Sequence, residues 1–397
     1  MLYDAIPTPC FIIEEDSIRS NAAILESVRR RTGCHILLAL KAFSTYPVFP
    51  MLAPSLDGVT CTSVHEARLG NEEFGGEIHT YSPAYTESGI LDVLRYSSHI
   101  TFNTPQQIKR FQSTIKEWHH EKSFGLRINP EHSEVDVAMY DPCAPFSRLG
   151  TTISNFDPDC LAYVDGFLAH MLCEQSAEAL DRSVAAIESK FGPYLSSLKW
   201  LNLGGGHHIT SNGYNIDLLC SIIERLQTSY DLQVILEPGE AVVAESGVLV
   251  AEVLDVMHND MDIAIVGTSA STHMPDVLEM PYRPDITGAA KPNVKSHTYR
   301  IGGMTCLAGD VIGDYSFDRP LEIGQRLIFE DMAMYTMVKT TTFNGIELPA
   351  IAIHYSDGRI ECIRQFDYSD FKSRLGPVNG KKQHIMAQEQ YEKTSVG

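Results

Sequence analysis

The sequence predicts an α/β protein: a (β/α)8, TIM-like barrel with a β-rich second domain. Two observations predict it. Between residues 35 and 239, short apolar runs alternate eight times with stretches of helical spacing. After about residue 245 the long helical stretches stop, and strand-like runs punctuated by Gly and Pro take over. A doubly wound open sheet is the alternative, and the regularity of the repeat disfavours it. The expected division is a barrel over 20–245, with 1–19 and 246–397 forming the β-rich domain.

The elements follow in order. The run 10–14 is strand-like but precedes the repeat, so it is expected in the sheet of the second domain. The eight barrel strands are read at 35–40, 58–62, 77–81, 99–102, 124–128, 166–169, 200–203 and 234–237. Helices are read between them, at 63–74 and 177–191 among others, and Ser63 with Glu66 fits a capping box. The connection 129–165 is long and rich in Pro, Asp and Ser, and is expected to carry a lid or an extra strand over the barrel mouth. In the second domain, strands are read at 248–256, 262–266, 326–330 and 350–354. The polar tail after Gly376 is expected to end in disorder.

Composition narrows the function. No apolar run approaches a membrane span, and Met1-Leu2-Tyr3-Asp4 lacks the pattern of a signal peptide. The nine cysteines are scattered with no CxxC pair, which favours free thiols in a reducing cytoplasm over disulfides or a metal site. A net charge of −20 makes nucleic acid and anionic membrane poor partners and draws in a cationic small molecule.

Barrel enzymes place their chemistry at the C-terminal strand ends. Strand one ends in Lys41, strand six in His170, strand seven in Gly204-Gly205-Gly206 and strand eight in Glu237-Pro238-Gly239-Glu240. A lysine at a strand end among apolar neighbours is partly desolvated, which favours the neutral amine that condenses with an aldehyde. Glycines after strand seven expose backbone N–H groups to a phosphate. Glu237 can face a ring nitrogen, and His170 can stack on a ring. Singly, each has a plain structural explanation. Together they describe a site for pyridoxal phosphate (PLP).

The segments Leu38-Ala39-Leu40-Lys41-Ala42-Phe43, Leu203-Gly204-Gly205-Gly206 and Leu236-Glu237-Pro238-Gly239 resemble fold type III PLP enzymes. These are alanine racemase and the ornithine, diaminopimelate and arginine decarboxylases, which share a barrel-plus-sheet plan. The resemblance runs over nearly the whole chain and continues through Cys306, Tyr335 and Thr342-Phe343-Asn344-Gly345. Within the group, LALKAFS, LNLGGGHH, HMPDVLEMPYRPDI and GDVIGDYSF are most similar to the carboxynorspermidine/carboxyspermidine decarboxylase family of polyamine synthesis. The resemblance implies that Lys41 holds the cofactor aldehyde, His170 stacks on its ring, and Gly204, Gly205, Gly206 and Gly239 cradle its phosphate. It implies a homodimer with shared sites, in which Tyr335 reaches the phosphate from the neighbouring subunit. Cys306, also from the neighbour, would protonate the substrate α-carbon.

Two departures bear on substrate. Cys306 is not followed by the Asp-Gly of ornithine decarboxylases, so the acid that meets a distal amine falls to Asp310 or Asp314. Glu240 stands where those enzymes place a phosphate-binding arginine, and an acid there suits an ammonium. Asp276 matches another amine-binding position. Arg283 resembles an arginine with which diaminopimelate decarboxylases grip a distal carboxylate. A carboxylate at Glu237 favours a protonated ring nitrogen and hence decarboxylation over racemisation. The expected activity is decarboxylation of carboxynorspermidine or carboxyspermidine, cationic carboxy-triamines. The alternatives are diaminopimelate or another basic amino acid, and an inactive regulatory homologue that binds PLP.

Overall fold

The computed structural model describes residue 3 and residues 5–377. The expectation for the tail therefore falls almost wholly outside the described residues. Strand β1 (Cys10–Glu14) comes first. The barrel strands are β2 (His35–Ala39), β3 (Gly58–Cys61), β4 (Glu77–Tyr81), β5 (His99–Phe102), β6 (Ser123–Arg127), β7 (Gly166–Leu168), β8 (Trp200–Asn202) and β9 (Gln233–Leu236). They close into a parallel barrel, with β9 returning to β2 through His35↔Ile235 and Ile36↔Leu236. All eight predicted strands are present.

The period-2 alternation of β2 explains the two faces of the barrel. Ile36, Leu38 and Leu40 join the main core cluster, while Leu37 packs with Trp200 and Ile235 in a separate one. Leu37, Ala39 and Lys41 thus follow one another along the interior face, and Lys41 emerges at the top. Trp200 fills the interior lower down, where β7 must approach closely. A Cβ on Gly166 would lie 2.0 Å from Trp200 Cδ2, so only glycine fits.

Ser63 caps its helix as expected, accepting from Glu66 N, and Glu66 accepts in turn from Thr62 N. The α-helix runs only over Val64–Leu69 and continues as a π turn, Gly70–Phe74. The connection after β6 makes a parallel bridge, Ile128↔Thr151, and carries Tyr140 to the barrel mouth.

The second sheet contains β10 (Gly247–Asn259), β11 (Met261–Val266), β12 (His297–Gly302), β13 (Val311–Phe317), β14 (Arg326–Phe329), β15 (Ala350–His354) and β16 (Ile360–Arg364). Its order is β13-β12-β11-β10-β1-β15-β16, with β14 also on β10. β1 therefore sits mid-sheet, antiparallel to β10 and parallel to β15, as its apolar sequence anticipates. Strands β12, β13 and β16 are additions to the sequence reading. Their signal was weak because polar residues interrupt the apolar alternation, as in His297-Thr298-Tyr299-Arg300. Pairing compensates across the sheet: Arg300 and Asp314 face each other on β12 and β13 and form a two-pronged ion pair at 2.8 and 3.0 Å. Asp314 is thereby taken up by the sheet.

Candidate active site

A cavity of about 1100 Å³ opens at the C-terminal ends of the barrel strands. Lys41, His170, Gly205, Gly206, Glu237, Gly239, Glu240, Asp276, Arg283 and Tyr335 all line it. Beneath it a smaller space of about 60 Å³ lies between Lys41, His170, Glu237, Thr60, Cys61, Tyr81 and Arg127.

Lys41 is accessible through this cavity yet walled by protein. Burial lowers its pKa first, Arg127 lowers it further, and Glu237 pulls the other way. His170 is pushed well below the ordinary histidine range by burial, then by Lys41 and Arg127. Its neutral ring accepts at Nδ1 from Gly205 N–H at 3.0 Å, which sets the ring's orientation. Arg127 Nη2 donates to the His170 carbonyl at 3.3 Å, and the guanidinium lies 4.6 Å from the Tyr81 ring. Asn202 Nδ2 donates to Glu237 Oε1 at 2.7 Å and fixes that carboxylate. Sequence reasoning missed both Arg127 and Asn202. Each stands at a strand end, the same signal that marked Lys41.

The glycine turn does more than one job. Gly204 N–H donates to Asn202 Oδ1 at 2.8 Å, and Gly205 N–H is engaged by His170. A Cβ on Gly205 would meet the Glu237 carbonyl at 2.2 Å, so the turn brings the ends of β8 and β9 together. Gly204 and Gly205 are therefore framework. Gly206 and Gly239 are the members of the expected cradle whose N–H groups face no such competitor.

Glu240 pairs with His208 at 3.3 Å, and that hydrogen bond raises the His208 pKa. Burial raises the Asp331 pKa to about 6. Asp276 is not free: Lys339 Nζ bonds both to it and to Glu279. Arg283 lies 4.5 Å from the Tyr315 ring and 3.7 Å from Asp285.

Two placements differ from expectation. Tyr335 belongs to the cavity of its own chain: its N–H donates to the Ala42 carbonyl at 2.8 Å, next to Lys41. Asp310 is not among the lining residues. It is buried and accepts from Ser269 Oγ, Ser271 N, Thr305 N and Thr305 Oγ1, so it holds a turn together. Cys306 rides on that turn, exposed and outside its own chain's cavity, with its N–H donating to Asn344 Oδ1 at 2.8 Å. Among the described residues no helix is long and apolar enough to cross a membrane.

A family model for the pyridoxal-dependent decarboxylases, described by their C-terminal sheet domain, matches residues 10–333. Carboxyaminopropylagmatine decarboxylase of Synechocystis sp. is 44% identical over 374 residues, covering 94% of this chain and 96% of the relative. The carboxynorspermidine/carboxyspermidine decarboxylase of Campylobacter jejuni is 40% identical over 94% of this chain and 100% of its own length. The crystal structure of carboxynorspermidine decarboxylase from C. jejuni, complexed with norspermidine, superposes with a TM-score of 0.86 at 39% identity, covering 93% of this chain and 100% of that one. Diaminopimelate decarboxylase from Helicobacter pylori shares the fold, with a TM-score of 0.79 at 18% identity over 94% of this chain and 98% of its own.

Proposed function

Because the chain belongs to the pyridoxal-dependent decarboxylases, we propose that it removes carbon dioxide from a carboxylated polyamine. Carboxynorspermidine and carboxyspermidine stand first as substrates, and the Synechocystis relative adds an agmatine-derived, guanidine-ended chain to the class. The observation that carries the reading is the cavity's charge. Glu174, Glu240, Glu245, Asp276, Asp285 and Asp331 line it against two full cations, Arg283 and Lys339, and against Lys41, whose pKa burial lowers. So many carboxylates in one cavity repel one another unless cations enter. Diaminopimelate would bring a further carboxylate, and Arg283 is already occupied by Tyr315 and Asp285.

The site fits PLP on its own chemistry. Lys41, with a lowered pKa, would hold the aldehyde, His170 the ring face, Glu237 the ring nitrogen, and Gly206 and Gly239 the phosphate. When bound, the group would supply an electron sink for the pair left on the α-carbon as carbon dioxide departs. The chain's own residues do the rest. Asn202 keeps Glu237 in place as a proton partner, and the Gly205 N–H fixes the orientation of the His170 ring. The acidic wall orients the substrate's amines away from the reacting carbon. Cys306 of a second copy would return a proton to the α-carbon, which makes the working unit a homodimer. We assign it to the cytoplasm, a setting that suits nine free cysteines.

A product assay tests this on carboxynorspermidine, carboxyspermidine, carboxyaminopropylagmatine, diaminopimelate, ornithine and arginine. The carboxylated polyamines are expected to lead, and preference for diaminopimelate would overturn the reading. Mixing inactive Lys41→Ala with Cys306→Ala subunits is expected to restore part of the activity. No recovery after proven subunit exchange would remove Cys306 and the shared site from the mechanism.

A further inference from the structure

We propose that Lys339 is a specificity-determining residue: its ammonium holds the seat of a substrate cation between Asp276 and Glu279, and the incoming cation displaces it. The inference rests on the carboxylated-polyamine reading above and deepens it.

The geometry is local and well defined. Asp276 and Glu279 are three residues apart on the short helix Asp276–Glu279, so their carboxylates share a face. Lys339 Nζ bonds to both. Lys339 N–H donates to the Tyr335 carbonyl at 2.9 Å, and Tyr335 N–H donates to Ala42 at 2.8 Å, one residue from Lys41. The backbone that carries Lys339 is thus tied to the strand end that carries Lys41, and both side chains line the same cavity. Tyr140, from the long connection, lines that cavity and lies within the electrostatic reach of all three groups.

A structural ion pair is the plain alternative, and three features argue against it. The trio carries one excess negative charge, so Lys339 does not saturate it. The side chains are 32% (Lys339), 17% (Asp276) and 51% (Glu279) exposed, so a cation from solution can reach the seat. The residue is a lysine, a point charge on a flexible stem, rather than an arginine whose planar fork would lock onto carboxylates. An alkylammonium on a flexible stem is also what the end of a polyamine presents. A substrate without a distal cation has nothing with which to replace Lys339, so the exchange selects for one.

The test uses holoenzyme and norspermidine as the probe. Lys339→Met removes the competing charge and keeps the stem; Lys339→Arg keeps the charge. Lys339→Met is expected to bind norspermidine about 3- to 5-fold more tightly at fixed ionic strength, the scale of one part-exposed ion pair. Lys339→Arg is expected to bind no more tightly than the parent. In the parent, acylation of Lys339 read by mass spectrometry, relative to surface lysines of the same sample that correct for reagent consumed by the polyamine's own amines, should increase at saturating norspermidine. Equal or weaker binding by Lys339→Met, or unchanged labelling, overturns the inference while leaving the decarboxylase reading intact if the parent still turns over carboxynorspermidine. Absence of turnover on every carboxylated polyamine brings down that reading, and this inference with it.

Discussion

The two ends of the barrel are built to opposite rules. At the N-terminal floor, polar groups are paired with one another. Glu77 accepts from His35 and from His79, each at 2.9 Å, and His79 stacks on His99 with ring centroids 3.9 Å apart. Asp165 accepts from Ser123 Oγ and Phe124 N and pairs with Lys199 and His119. Trp200 plugs the centre and donates Nε1–H to Ser123 Oγ at 2.9 Å. At the mouth, Lys41, its pKa lowered by burial, and the neutral His170 face a wall of carboxylates. Glu174, Glu245, Asp331 and Tyr335, all lining the cavity, carry positive φ values of 53°, 53°, 57° and 32°. Non-glycine residues adopt that conformation only when their surroundings impose it. The floor satisfies its groups and holds the strands; the mouth leaves an excess of negative charge facing the cavity.

Breaking the mouth at its key residue should have the largest effect. Lys41→Ala is expected to lose the visible absorbance of the bound cofactor and essentially all turnover. Its thermal unfolding should stay at or above that of the apoprotein of the parent, because an unpaired buried amine is removed. Retained absorbance with intact turnover would mean another residue holds the aldehyde.

Breaking the floor should act on stability instead. Trp200→Ala leaves a cavity between Gly125, Gly166, Leu37 and Ile235, and is expected to cost about 3–5 kcal/mol in urea unfolding. The cofactor spectrum of the remaining folded fraction should be unchanged. A spectral shift without a stability loss would show that the two ends are not separable.

A smaller effect is expected from Glu240→Gln at the mouth. Losing one charge-assisted contact should raise KM for carboxynorspermidine by about tenfold or more, with cofactor occupancy retained. Loss of cofactor with unchanged KM after reconstitution would reassign Glu240 to the phosphate site.

The pH dependence sharpens the contrast, because the two ends should slope in opposite directions. Burial and the neighbouring His79 lower the His99 pKa to about 3, from an ordinary value near 6.5. The unfolded chain therefore takes up the proton first, and the floor loses stability as pH falls from 6.5 towards 3. Burial raises the Asp331 pKa to about 6 from 3.8, so the mouth loses stability as pH rises through that window. His99→Gln should flatten the acid limb of a urea-midpoint profile, and Asp331→Asn should steepen it. Asp331→Asn should also abolish any improvement of polyamine affinity between pH 5 and 7. Parallel changes in the two variants would refute the assignment.

Local chemistry made much of this protein legible in its sequence. Eight apolar runs at regular spacing point to parallel strands buried on both faces, and the regularity of the repeat favours the closed barrel over an open sheet. Lys41, His170 and Glu237 are chemically distinctive residues at strand ends, and strand ends in a barrel converge by geometry. Strands β12, β13 and β16 were not legible, because their stability comes from partners across the sheet rather than from their own pattern. The same holds for site residues whose roles lie in pairing. Nothing in the sequence says that Asn202 holds Glu237, that Asp310 spends its oxygens on a turn, or that Lys339 occupies Asp276. Those assignments are 35, 41 and 63 residues apart along the chain. The sequence alone determined which groups can do chemistry and in which layer of the fold they lie. Only the tertiary structure decided which of those groups stay free, because a hydrogen bond or ion pair between distant residues is settled by where the backbone brings them.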